Sequence, residues 1–313
     1  MPNSGTNNSN SKIRGIIYIL CSAFSFAVMS LFVHASGEMP VFQKAFFRNI
    51  VAIVFSFILL IRSEDKFKIK KGSMKYLLLR ASFGTLGIVF NFYCISKINI
   101  ADAQILNKLS PFFATLASIF VLKEKANLRQ WLCIFLAFTG ALFVVKPEFL
   151  TTFILGAEYS SVSSNSFFPA LIGVIGGIVA GTAYTFMRKL SLKGERSAVI
   201  VAFFSLFSTV VLIPFVIFTY EPISAKQLLL LLGAGLAACF GQLFITSAYA
   251  CCPAKEISVF DYSSVIFAAI LGMIFLNQLP DALSIIGYAI IIGASVISFL
   301  FNNGILCKKA TEA

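Results

Sequence analysis

A few ionisable and amide side chains stand inside long apolar runs of this chain, and their types and spacing define the chemistry open to it. Lys108 lies in the run 101–122, with Gln104 four residues before it and Asn107 and Pro111 close by. Positions i and i+4 share a helix face, so this stretch would present an amide and a cation side by side. Arg48 lies about seven residues into the run 41–61, roughly 10 Å deep at 1.5 Å per residue, a level similar to that of Lys108. Two cations at one level repel by about 4 kcal/mol at 4 Å in an effective dielectric near 20, unless an anion sits between them. The neighbouring runs offer only Asp102 nearby, so a carboxylate or phosphate on a small cargo is expected to supply the charge. The competing reading is structural: long cationic side chains snorkel outward or bond backbone carbonyls.

Asp261 is the one acid well inside a run, expected about one turn in from the inner face. It could carry a coupling proton, meet a cationic group on the cargo, or cap a helix start. Tyr262 follows it directly, and Asn91, Tyr184 and Gln242 add amide or hydroxyl candidates for binding. Tyr184 and Gln242 fall mid-run, where a polar atom needs a partner. His34, the only histidine, sits near the outer end of the first run, as an interfacial residue or a proton relay. Pro111 would kink its helix and free a carbonyl, a feature useful for gating or simply a static bend.

The chain holds no phosphate-binding loop ending in Gly-Lys, no H-E-x-x-H and no G-x-S-x-G. Its seven cysteines form no C-x-x-C pair and have no spaced histidines, so neither a metal nor a cofactor is expected. Asp261 and His34, the only plausible general bases, are expected at opposite faces. An enzyme is not expected.

Positioning such residues requires spanning helices. Of 313 residues 58% are hydrophobic and 12% charged, and the mean hydropathy is +0.91. Soluble domains hold about 45–50% and about 25%, so the apolar excess must face lipid. Runs of about 20 apolar residues suffice to cross a bilayer. Ten are placed, at 13–35, 41–61, 76–96, 101–122, 130–145, 168–187, 197–219, 227–250, 257–276 and 282–301. With both termini in the cytoplasm, eighteen Lys and Arg fall in inner segments and three in outer loops. The net charge of +12 is then a topology signal and needs no nucleic-acid partner. The Asn/Ser-rich start, within 1–12, reads as a disordered tail.

An internal repeat organises the runs. Shifting the chain by 154 places Ala81 on Gly235, Gly87 on Gly241, Asp102 on Glu256, Phe113 on Phe267 and Glu124 on Gln278. The same shift sets Asn107 on Asp261 and Lys108 on Tyr262. The halves, 13–145 and 168–301, flank an outer linker at 146–167, and a tail follows at 302–313. Five spans per half reverse the orientation of the second half, the arrangement of many secondary transporters.

Phe46-Phe47-Arg48, Ala103, Pro111-Phe112-Phe113, Lys123-Glu124-Lys125 and Gly140 in the first half resemble an EamA domain of the drug/metabolite transporter superfamily. Ala248-Tyr249-Ala250, Phe260-Asp261-Tyr262, Gln278-Leu279-Pro280 and Gly287 resemble one in the second. Many family repeats carry Glu where this chain has Gln278, whereas Glu124 keeps the acid. The resemblance implies ten helices, inside termini and alternating access around a central cavity. It implies that helices 5 and 10 are peripheral, while 1, 3, 4, 6, 8 and 9 mostly line the cavity.

The expectation is therefore an all-α integral membrane protein, ten transmembrane helices in two inverted five-helix repeats. It would move small organic metabolites (amino-acid, nucleoside or cofactor-like) across the cytoplasmic membrane, among membrane lipid and compatible with a homodimer. A lipid-linked substrate flippase and a non-transporting intramembrane enzyme are the alternatives.

Overall fold

A computed structural model describes residues 4–61, 69–122, 128–146, 157–251 and 258–302. Among these the chain is helical throughout, without strands. The helices are α1 (Ser4–Ala35), α2 (Val41–Ile61), α3 (Met74–Lys97), α4 (Ile100–Asn107), α5 (Ser110–Val121) and α6 (Leu128–Val145). They continue with α7 (Ala157–Leu192), α8 (Ser197–Phe218), α9 (Ala225–Cys251), α10 (Ser263–Leu276) and α11 (Ala282–Asn302). A 3-10 turn, Ser258–Tyr262, precedes α10.

Eight segments are long and apolar enough to cross a membrane, the stretch Ile100–Val121 counting as one, with Gln130–Val145 and Phe260–Leu276 as shorter apolar helices. Large apolar side chains such as Phe135, Phe218 and Phe275 point outward and are mostly exposed. That surface suits lipid, not water, and this is a multi-pass membrane protein.

Three elements depart from the sequence expectation. Helix α1 starts at Ser4, so the Asn/Ser-rich stretch expected to be disordered is helical from there. Once the apolar run has nucleated a helix, extending it costs little per residue. Helix α7 likewise starts at Ala157, well before the apolar run at 168. The fourth run is not one helix but two, α4 and α5, parted at Lys108–Leu109. The tail 303–313, like Glu124 with its flanking lysines, lies outside the described residues.

Packing between the halves follows an exchange rule. Helix α1 packs on α9 and α10, while α7, its counterpart under the 154-residue shift, packs on α3 and α5. Contacts of α2 with α9 match those of α8 with α3, and α2·α8 and α6·α11 are their own counterparts. Small residues allow these approaches. A Cβ on Gly181 of α7 would come within 2.6 Å of the Ser110 carbonyl oxygen and 2.7 Å of the Ala114 nitrogen of α5. Gly140 of α6 and Gly287 of α11 abut each other in the same way.

Candidate functional site

Helix α4 stops at Asn107 for a local reason. Pro111 has no N–H to give the Asn107 carbonyl, and its ring crowds that oxygen. The Lys108 N–H still reaches the Gln104 oxygen at 3.1 Å, but Phe112 and Phe113 both turn to the Leu109 oxygen. The Lys108 carbonyl is thereby released from the helix ladder, and the Tyr262 hydroxyl donates to it at 3.1 Å. In the second half the equivalent position is also a break, since the 3-10 turn ends at Tyr262 and α10 begins at Ser263.

The two breaks cross. Lys108 Nζ donates to Asp261 Oδ2 at 2.5 Å, and these side chains are only 13% and 21% exposed. Asp261 Oδ1 is buried and has no hydrogen-bond partner among the described residues. Residues 107–108 and 261–262, equivalent under the repeat, thus meet each other near the centre of the exchanged contacts.

This corrects the expectation that Lys108 lacks an acid and waits for an anionic cargo. Its charge is met by Asp261. It also corrects the levels: counting 1.5 Å per residue along unbroken runs put Asp261 near the inner face and Lys108 in the outer half. Both runs are broken where they cross, so the count fails.

The other sequence candidates spread over several neighbourhoods. Gln104 is buried and tied to α1, its Nε2 donating to Ser30 Oγ at 2.8 Å and to the Phe26 oxygen at 3.3 Å. Arg48 does not join Lys108; its Nη1 donates to Asn49 Oδ1 at 2.9 Å, and Tyr184 and Cys239 lie within electrostatic reach. Asn107 ends α4, half-buried, and Pro111 sits exposed in the first turn of α5. Asn91 lies half-buried on α3, its backbone against Gly176 of α7. Tyr184 on α7 and Gln242 on α9 are exposed.

His34 belongs to a separate polar group at the C-terminal end of α1. Gln278 Oε1 accepts from the Ile100 N–H at 3.0 Å, which turns its Nε2 to His34 Nε2 at 2.9 Å. His34 Nε2 must then be the acceptor, and its Nδ1–H donates to the Ile95 oxygen at 2.5 Å. Both ring nitrogens are thus engaged structurally, and His34 stands apart from Asp261. Gln278 thus bridges α1 and the start of α4.

Beside this bridge opens a cleft of about 280 Å³ lined by His34, Asp102, Lys146, Gln278 and Asp281, among others. Asp102 is buried there and accepts from the Tyr288 hydroxyl at 2.6 Å. Lys146 Nζ pairs with Asp281 Oδ2 at 2.6 Å. Burial acts to raise the Asp281 carboxyl, but the Lys146 hydrogen bond and the Ser284 N–H outweigh it and hold it below the usual carboxylate range. Tyr288, Lys146, Asp281 and Arg80 were not singled out from sequence. For Asp102 and Arg80 a signal existed, an ionisable residue inside an apolar run.

With this geometry in place, the likeness to known proteins becomes informative. The profile of the EamA-like transporter family matches twice, over residues 13–146 and 167–300. The pseudopaline exporter CntI of Pseudomonas aeruginosa is 30% identical over 284 residues, which cover 90% of this chain and 94% of the exporter. Human Solute carrier family 35 member G1 is 27% identical over 289 residues, 90% of this chain and 78% of the carrier. The riboflavin transporter of Vibrio cholerae is 24% identical over 285 residues, 90% and 91% of the two chains. A solved crystal structure shares the fold at a TM-score of 0.61 with 12% identity, covering 94% of this chain and 98% of the other. Two matched repeats, broken helices that cross between them and transporter relatives along nearly the whole length place this chain in the EamA-like transporter family of the drug/metabolite transporter superfamily.

Proposed function

We infer that this protein is a secondary transporter that moves small organic metabolites across the cell membrane by alternating access. The observation that carries the reading is the crossing of two broken helices, with Lys108 and Asp261 paired where the halves meet. Discontinuous helices at a repeat interface are where secondary transporters hold cargo and coupling ions. The exchange rule in the packing supports two inverted five-helix repeats, ten spans in all. The skewed distribution of Lys and Arg supports cytoplasmic termini.

Rocking of one half against the other would turn about that crossing. At the outer ends the halves are held by hydrogen bonds that water can replace. Gln43 and Glu221 exchange two, Gln227 Nε2 donates to the Ser36 oxygen at 3.2 Å, and Asn99 Nδ2 to the Leu279 oxygen at 3.4 Å. Opening outward breaks these and also parts the Phe42–Phe215 stack beside them. Relatives named as exporters and transporters support a transport role, and one named for riboflavin supports a small organic cargo.

The test is metabolite profiling of cells lacking and overproducing the protein, followed by flux measurements in proteoliposomes with the metabolites that shift. Flux accelerated over protein-free vesicles is expected for at least one of them. A purified, folded protein that accelerates none would overturn the reading.

A further inference from the structure

The sequence places four cations well within the spans, Lys44, Arg48, Arg80 and Lys108, and the structure accounts for two of them. Lys44 is fully buried, and its three N–H bonds go to the Val33 oxygen (3.2 Å), the Gly37 oxygen (2.7 Å) and Ser96 Oγ (2.8 Å). Lys108 has Asp261. Arg48 and Arg80 have no acid among the described residues.

Arg48 is 9% exposed and makes one hydrogen bond, to Asn49 Oδ1, whose amide is itself held by Ser208 Oγ at 2.7 Å. Its Nε is buried with no partner among the described residues. The Arg80 guanidinium lies 4.5 Å from the centre of the Phe204 ring, and its Nε is likewise buried and unpartnered. A guanidinium carries five donors and is always charged. The ionisable neighbours within electrostatic reach are Tyr184, which reaches both arginines, and Cys239, which reaches Arg48. Neither neighbour is a carboxylate that could pair with a guanidinium fork.

Both arginines lean on α8 one turn apart, Arg80 on the Phe204 ring and Arg48 through Asn49 on Ser208, and Tyr184 of α7, within electrostatic reach of each, is 42% exposed. The side chains that bear on the two guanidinium groups come from α2, α7, α8 and α9, on both halves of the chain. Charges without a counter-charge are costly at membrane depth and normally face a cavity or a partner. A carboxylate or phosphate removes that cost through paired hydrogen bonds to the planar guanidinium fork.

We propose that Arg48 and Arg80 form the anion subsite of the cargo pathway, which selects small metabolites carrying a carboxylate or phosphate. The subsite rests on the transport reading for its cargo but not for its ability to bind. Cationic and uncharged solutes fit poorly beside two arginines. An anionic lipid headgroup shares the required chemistry, so the test separates the two sources.

The full chain is reconstituted in nanodiscs of phosphatidylcholine, and its melting temperature is titrated with citrate, glutamate and glycerol 3-phosphate, with succinamide and lysine as controls. At least one anion should raise the melting temperature where the controls do not. Arg48→Gln and Arg80→Gln should each weaken its apparent affinity at least tenfold. Arg48→Lys should recover only part of it, because the charge returns without the fork. If Arg48→Gln does not fold, Arg80→Gln alone decides.

The subsite is overturned if every anion behaves like succinamide, or if both Gln variants bind like the parent. It is overturned as a cargo site if phosphatidylglycerol in the disc stabilises through the same arginines and soluble anions do not. Anion binding without flux would leave the subsite standing and remove the transport reading. Flux of a neutral solute that is indifferent to both Gln variants would do the opposite.

Discussion

Replacing Lys108 with Met removes one end of an ion pair that is mostly shielded from water. At 2.5 Å the gross attraction is about 7 kcal/mol in an effective dielectric near 20. Most of it offsets the desolvation of the two groups, so the pair contributes far less than that to net stability. Losing one partner is different, because it leaves the other charge buried alone, at about 3–5 kcal/mol. The residual exposure of 13% and 21% places each single variant near the lower end, about 3 kcal/mol. Lys108→Met and Asp261→Asn should therefore each cost about 3 kcal/mol, and the double variant, which leaves no charge buried alone, about 1 kcal/mol or less. Denaturant unfolding of the purified protein in dodecyl maltoside, for the four members of the cycle, reads this coupling. Costs that add to within about 0.5 kcal/mol would show that the two side chains do not interact, and the crossed-break geometry would fall with them.

Gly287→Ala should lower stability by about 1–3 kcal/mol, because its Cβ would sit 2.6 Å from Val144 Cγ2 and 2.7 Å from the Gly140 oxygen; an unchanged melting temperature would refute the α6·α11 contact. Asp281→Asn should cost about 1 kcal/mol or less, since the pair with Lys146 is partly exposed. The Asp281 carboxyl is held low in the folded protein, so its contribution is complete above the ordinary carboxylate range and is lost as pH falls through the depressed value. The gap in melting temperature between parent and variant should stay constant from about pH 8 to about pH 5 and close below about pH 4; a gap that instead varies between about pH 5 and 8 would be the contrary result. For orientation, a cysteine replacing Ser224 should react with an impermeant maleimide in intact cells, and one replacing Lys71 only after permeabilisation. The reverse pattern would invert the topology.

Much of the architecture was legible because it rests on local chemistry. Apolar runs of spanning length, the skew of Lys and Arg and the 154-residue shift each survive without knowledge of tertiary contacts. The glycine ladder Gly173, Gly177, Gly181 reads as a close-packing stripe, and it does lie against α4 and α5. The break before Pro111 is also written locally, in a missing N–H. The site was less legible, because its pairings are long-range. Asp261 is 153 residues from Lys108, and its level depends on the 3-10 turn Ser258–Tyr262, which no proline marks. Without that pairing, Lys108→Met would be expected to leave stability nearly intact, the opposite of the outcome above. Arg80 could be counted inside a run, but only the fold shows that it faces Phe204 and has no acid among the described residues, while Lys44 has every N–H engaged.

The crossed contact also bears on which halves can pair with one another. Lys108 corresponds to Tyr262 and Asn107 to Asp261, so the central contact joins unlike residues across equivalent positions. Two copies of the first half would set lysine against asparagine, with no acid between them. Two copies of the second would set aspartate against tyrosine, with no cation. The ion pair therefore forms only between unlike halves. Fragments expressed separately should assemble as one of each and not as matched pairs, which makes this contact a lock against scrambled assembly as the chain folds.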